Sequence, residues 1–249
     1  MKKNIFRGLL LSAVSVAGLT SCLEDVGNRF TLNNMMCTVV SNSSSRVVVQ
    51  MDATQAYYFA DEFLNKDMEI GDRYLLQKLT VNNDEQPAGA TGAINTPILM
   101  TEVSTEKVDT KPFIMESVED PTLANDSVEL FYSPYIIRSK TSYNTYTYIT
   151  FSGAVLKKAD PDFRLVFTGR IEDANNKGKD TLCYEFKATN LKEGEKGVYE
   201  SYAQCFNLDP MPSEQIVKIY YYGKRYQGSE TNKITKSYCI IEAPKIYSE

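Results

Sequence analysis

The chain has 249 residues, a formal net charge of −5, and neither histidine nor tryptophan. The missing histidine excludes Ser-His-Asp and Cys-His catalysis and removes the commonest transition-metal ligand. The acidic balance speaks against nucleic acid, whose phosphates demand basic patches.

The chain opens MKKNIFRGLLLSAVSVAGLTSC. Lys2, Lys3 and Arg7 make a basic start, and residues 8–19 are apolar or small. A permanent membrane helix needs roughly 20 apolar residues, so this run is short for one and fits the core of an export signal. Leu19-Thr20-Ser21 then precedes Cys22. Leu-Thr-Ser-Cys resembles the lipobox of bacterial lipoproteins. That resemblance implies a diacylglycerol on the Cys22 sulfur and cleavage before it, with Leu19, Thr20 and Ser21 read by the signal peptidase. Each buried lipid CH₂ contributes about 0.8 kcal/mol, and two or three chains hold where one is marginal. Leu23 after the cysteine is similar to outer-membrane sorting signals. Glu24 and Asp25 resemble the short acidic export tags of surface lipoproteins in the Bacteroidota. The expected partner is therefore a membrane, reached through lipid on Cys22. Loss of residues 1–21 removes three positive charges and takes the net charge to −8.

Beyond the signal, β-branched and aromatic residues cluster in short runs between turn residues, the pattern of strands. "NMMCTVV" (34–40) leads through an Asn-Ser tract into "RVVVQMD" (46–52) and reads as a hairpin. "AYYFAD" (56–61) follows as a strand. Residues 62–81 read as a short helix or loop, a turn at Gly71-Asp72, and a strand. "EQPAGATGAINTP" is a loop, and "ILMTEVSTEKV" (98–108) a further strand. "EDPTLANDS" marks a linker or long loop within Asp109–Asp126. Seven longer strands come next: "SVELFYSPYIIRS", "YNTYTYITFSGAVL", "FRLVFTGRIE", "DTLCYEFKATN", "GVYESYAQCFNL", "EQIVKIYYYG" and "KITKSYCIIEA". The predicted fold is all-β: a small OB-like barrel followed by a seven-strand β-sandwich. The expected divisions are a signal peptide over 1–21, a tether over 22–30, a barrel over 31–110 and a sandwich over 111–249.

Of five cysteines, Cys37, Cys183, Cys205 and Cys239 lie inside apolar or aromatic runs, where a free thiol behaves as a small hydrophobe. None forms a C-x-x-C, so no zinc knuckle is suggested. Residues 172–185 fail the calcium-loop register, with Lys177 at position five and Tyr184 at position twelve. "NNKGK" reads instead as a hairpin turn with Gly178 at its positive-φ position. No metal, cofactor or catalytic residue is expected.

The combination of "SCLED", the pair "MMCTVV…RVVVQMD", "GDRYLLQKLTV" and a seven-strand second half resembles the NigD-like lipoproteins of the Bacteroidota. Gly71-Asp72-Arg73 matches the Gly-polar-Arg turn of that family's first domain. Asn-Ser stands here where the family has an acidic-Gly turn. The resemblance implies the two-domain β architecture and a role akin to bacteriocin immunity, without a known activity. The expected function is a non-enzymatic, surface-anchored binding module for a protein, peptide or glycan. The alternatives are a fimbrillin-like structural or adhesion subunit and a glycan-binding protein using tyrosines such as "YYY" at 220–222 and "SYNTYTY" at 142–148.

Overall fold

Strand pairing begins where two serines turn the chain. In this computed structural model, which describes residues 28–115, 126–141, 144–171, 180–191, 194–211, 215–225 and 235–242, β1 (Arg29–Ser43) and β2 (Arg46–Met51) form an antiparallel hairpin across Ser44-Ser45. The Ser43 hydroxyl accepts from the Arg46 amide at 3.1 Å and donates to the Arg46 carbonyl at 3.0 Å, closing the turn. The register shifts between Val39 and Ser41, so Val40 is an extra residue. Such a bulge bends the strand and re-aims its side chains, and here Val39 and Val40 are both buried. The chain then forms β3 (Tyr57–Phe59), a 3-10 turn over Asp61–Asn65, and β4 (Arg73–Asn82), which pairs with β1 along its length.

Residues 98–108, expected as one strand, divide at Met100 into β5 (Ile98–Leu99) and β6 (Thr101–Val108). The sheet order is β5-β3-β2-β1-β4-β6, so the two pieces occupy opposite edges. A single residue joins those edges only if the sheet curls back on itself. Met100 is fully buried at the junction and its amide donates to the Phe59 carbonyl at 2.8 Å. The enclosed core is mainly aliphatic and includes Leu32, Val39, Val49, Phe63, Leu76 and Leu79.

The same device recurs in the second half. Within the stretch expected as a linker, β7 (Thr110–Pro112) and β8 (Ile114–Met115) are separated by Phe113 alone. Each pairs in parallel with a different strand, β7 with β14 (Tyr199–Asn207) and β8 with β12 (Asp162–Ile171). Between these ends lie β9 (Val128–Leu130), β11 (Thr145–Leu156), β13 (Thr181–Thr189) and β15 (Ile216–Arg225), in the order β7-β14-β11-β9-β15-β13-β12-β8. β10 (Tyr135–Lys140) pairs with β11 and β16 (Thr235–Glu242) with β15, both off this path. Every one of the seven expected segments contains a strand. "SVELFYSPYIIRS" breaks into two, β9 and β10, across Phe131–Pro134.

The fold is thus all-β, a half-barrel sheet followed by a sheet nearly closed into a barrel. The described residues contain no α-helix. One compact unit runs to Val108 and also takes Ser139–Thr145; the other comprises Asp109–Arg138 and the chain from Tyr146 onward. The second core is aromatic. Phe151 stacks on Phe186 at 3.9 Å, Phe163 flanks Phe186 at 5.7 Å, and Phe206 meets Phe151 edge-on. Offset and edge-to-face pairs of this kind add about 0.5–1.5 kcal/mol each beyond area burial.

β9 is held by two glycines. It lies between Gly153 of β11 and Gly223 of β15, with Val128 and Leu130 buried. A Cβ on Gly153 would sit 2.1 Å from the Glu129 carbonyl oxygen, and one on Gly223 would sit 1.9 Å from that of Val128. Neither position has room for any larger residue unless β9 moves.

Candidate functional site

The Gly71-Asp72-Arg73 turn has a clear local logic. Gly71 adopts φ 95° and its amide donates to the Val39 carbonyl at 2.8 Å, while the Val39 amide donates to the Asp72 carbonyl at 2.9 Å. The Asp72 carboxylate accepts from the Glu69 amide at 3.0 Å and from Lys107 Nζ at 2.7 Å. That hydrogen bond holds the Lys107 ammonium above its ordinary pKa. The turn delivers Arg73 inward. Its side chain is fully buried, with Nη1 donating to Thr38 Oγ1 and Asp52 Oδ1, both at 2.6 Å, and Nη2 to Asp52 Oδ2 at 2.5 Å. Ser139 Oγ donates to Thr38 Oγ1 at 3.0 Å within the same unit. A buried guanidinium whose two terminal nitrogens are held in a charge-assisted fork is committed to the core rather than poised for a substrate. The neighbouring Cys37 thiol is pushed up strongly by burial, against a weaker pull from Arg73, and so stays protonated. This cluster organises the first unit.

Cys37, Cys183 and Cys205 are buried, Cys239 is half-buried, and none of the four is in a disulfide. Among the described residues no three potential metal ligands come together, and no helix is long and apolar enough to cross a membrane. Cys22, Leu19, Thr20, Ser21, Glu24 and Asp25 lie outside the described residues, as does Gly178.

The "YYY" run separates by strand alternation. Tyr221 points into the second core with Val217 and Ile219, whereas Tyr220 and Tyr222 lie on the opposite face of β15. β16 pairs antiparallel with β15, setting Tyr238 opposite Tyr220 and Ile240 opposite Lys218. Tyr238 is 58% exposed and Ile240 63%. Lys218 Nζ lies 4.3 Å from the Tyr238 ring centroid and 5.0 Å from that of Tyr220. A hydrogen bond with Tyr220 holds the Lys218 ammonium above its ordinary value. These residues make an outward strip of aromatic, aliphatic and cationic surface. Of the second tyrosine run, Tyr143 lies outside the described residues. Tyr148 is buried with Tyr146 stacked on it at 6.1 Å, which makes that pair packing.

Sequence reading found Tyr220 and Tyr222 but not Tyr238 and Ile240. The signal was present in "SYCIIE", where alternation fails: Tyr238 and Ile240 are apolar on one parity, Cys239 and Ile241 on the other. Cys239 and Ile241 pack against the core, which leaves the first pair outside.

No family model and no curated protein matches the chain by sequence. Solved structures do share its fold. An uncharacterized protein from Parabacteroides merdae overlaps with a TM-score of 0.57 at 12% identity, covering 85% of this chain and 98% of its own. A DUF1344 protein from Bacteroides vulgatus overlaps with a TM-score of 0.54 at 14% identity, covering 85% and 90%. A NigD-like immunity protein from Bacteroides caccae is more distant, with a TM-score of 0.44 at 13% identity, covering 81% and 89%. For the Parabacteroides merdae and Bacteroides vulgatus proteins, the likeness at these identities is one of fold.

Proposed function

We propose that the chain is a NigD-like, lipid-anchored lipoprotein of the bacterial outer membrane, facing the cell surface, that acts as a non-enzymatic binding module of immunity type. The anchor rests on the Leu19–Cys22 sequence and the outward orientation on Glu24 and Asp25. One observation carries the binding role: Tyr222, Tyr238 and Ile240 are exposed together with Lys218 on the β15–β16 face. Clustered aromatic and aliphatic exposure of this kind marks interaction surfaces rather than ordinary solvent-facing sheet. In the immunity version, the anchored protein intercepts a toxin before it reaches the membrane.

The test uses the full chain in intact cells. Cys22→Ser should move the protein from the membrane fraction to the soluble fraction. Replacing Tyr222, Tyr238 and Ile240 together by serine should abolish capture of the partner by the anchored protein while leaving anchoring intact. Capture unaffected by the triple change would remove the face from the proposal.

A further inference from the structure

The chain enters the first unit at one end of a ladder and leaves it at the other. Arg29, at the start of β1, is aligned with Asn82 of β4, and the pairing runs on to Thr38 and Arg73. β6 lies on the other side of β4, from Thr101 beside Thr80 to Val108 beside Arg73. Arg29 and Thr101 therefore share one end of this three-stranded ladder, and Thr38 and Val108 the opposite one. The chain leaves the first unit after Val108, and Ser139, where it returns, hydrogen-bonds Thr38 at the same end. The β15–β16 face belongs to the second unit. Tension between the N-terminus and that face thus crosses the first unit from Arg29 to Val108, along the strands.

Such a pull loads the ladder sideways. Inter-strand hydrogen bonds lie perpendicular to antiparallel strands, so a pull along the strands strains all of them together rather than one after another. Partial slippage offers no relief, because moving β1 by one residue would turn Phe30 and Leu32 out of the core. Side chains tie the same three strands across. The Arg29 guanidinium of β1 bonds the Glu102 carboxylate of β6, and Lys78 Nζ and Thr80 Oγ1 of β4 hold that carboxylate at 3.5 and 3.3 Å. Gln77 of β4 donates to Glu106 at 2.8 Å and accepts from Ser104 at 3.1 Å, both on β6. Asn28, one residue before β1, donates to both carboxylate oxygens of Asp84, at 2.7 and 2.9 Å, just past the end of β4. Glu102 sits in a bulge at φ 54°, a left-handed conformation uncommon for a glutamate. Strain of this sort persists where the surroundings impose it, and here three strands converge on the side chain.

We propose that the first unit is a shear clamp, which carries tension between the N-terminal anchor and a partner held by the second unit without unfolding. The inference rests on reading Cys22 as the anchored point and the β15–β16 face as the one that is held. Exposed ion pairs such as Arg29–Glu102 add little to equilibrium stability. Resistance to force is a different quantity, set by the barrier to unfolding, and each side-chain bond described above runs across the direction of pull.

The test is single-molecule force spectroscopy of the full chain, held by its two termini. Opening of the first unit is recognised by the release of roughly 80 residues, about 250 Å of chain. The force at that step should be at least about twice the force that opens the same ladder from a handle on Ser44 and the C-terminus, because Ser44 follows β1 at the Val108 end and the bonds then part in turn. Glu102→Gly removes the carboxylate and leaves a residue at ease with φ 54°, so its denaturation midpoint should match that of the unaltered chain while its unfolding force falls. Equal forces in the two pulling geometries would overturn the clamp, as would a Glu102→Gly chain that is as strong under load as the original or that loses force only with its midpoint. Fractionation of Cys22→Ser is a separate readout. A chain that stays at the membrane without Cys22 takes away the anchor whatever the forces, and equal forces take away the clamp while leaving the anchor.

Discussion

The guanidinium of Arg73 forms a two-bond fork with the carboxylate of Asp52, at 2.6 and 2.5 Å, inside the first unit. Removing one member of a buried pair strands the other, which costs about 3–5 kcal/mol, whereas replacing both by apolar residues is often neutral. Asp52→Ala should therefore destabilise by about that amount in chemical denaturation. Arg73→Met combined with Asp52→Leu should recover most of the loss. If the double variant is as unstable as Asp52→Ala, the fork does more than satisfy its own charges.

Gly153 and Gly223 clasp β9 from its two sides. Gly153→Ala and Gly223→Ala each force a Cβ into backbone, so each should cost about 3 kcal/mol or more. For a chain of this size that lowers the melting temperature by roughly 6–12 °C. Gly89, where an added Cβ meets nothing within 4 Å, provides the contrast. Calorimetry of the three alanine variants should separate them clearly, with Gly89→Ala bearing only the strain of its φ of +80°.

Burial raises the phenol of Tyr184 from 10.0 to about 12, and raises Tyr58 and Tyr202 in the same direction. A group whose folded pKa lies above its unfolded value contributes stability that is complete below the unfolded value and is lost as pH rises. Stability attributable to these tyrosines should hold up to about pH 9 and fall from about pH 10 toward pH 12. Tyrosinate absorbance should show a subset of the tyrosines ionising only as the chain unfolds. Simple titration of all seventeen at one midpoint would contradict this.

Phe113, the residue between β7 and β8, meets Tyr184 edge-on at 5.6 Å and Phe167 at 6.3 Å. It is half-buried, so Phe113→Ala should cost somewhat less than a fully buried phenylalanine, about 2 kcal/mol. Amides of β7 and β8 should exchange faster than those of β12 and β13. Uniform acceleration across the second unit would show that Phe113 supports the core rather than the closure.

What could be read from the sequence was local. The Asn-Ser tract as a turn, Gly71-Asp72 as a turn and "RYLLQKLTV" as a strand each depend on neighbours within a few residues, and each is seen in the structure. Burial of Arg73 could not be read, because its carboxylate partner lies 21 residues away and an arginine is by default a surface residue. β7 and β8 were hidden for a related reason. Strands of two or three residues carry no period, and their identity comes from the distant strands they pair with. Tyr238 acquires meaning only beside Tyr220, through a pairing that no local pattern announces.

The split strands have a further consequence for how such chains can vary. Because Met100 and Phe113 each span the gap between opposite ends of a sheet as single residues, the lengths at those two points are set by the circumference of the barrel. One residue more or fewer would turn every following side chain of β6 or β8 to the wrong face or unfasten the seam. Insertions and deletions among chains of this fold should therefore collect in the outer loops and spare these two joints.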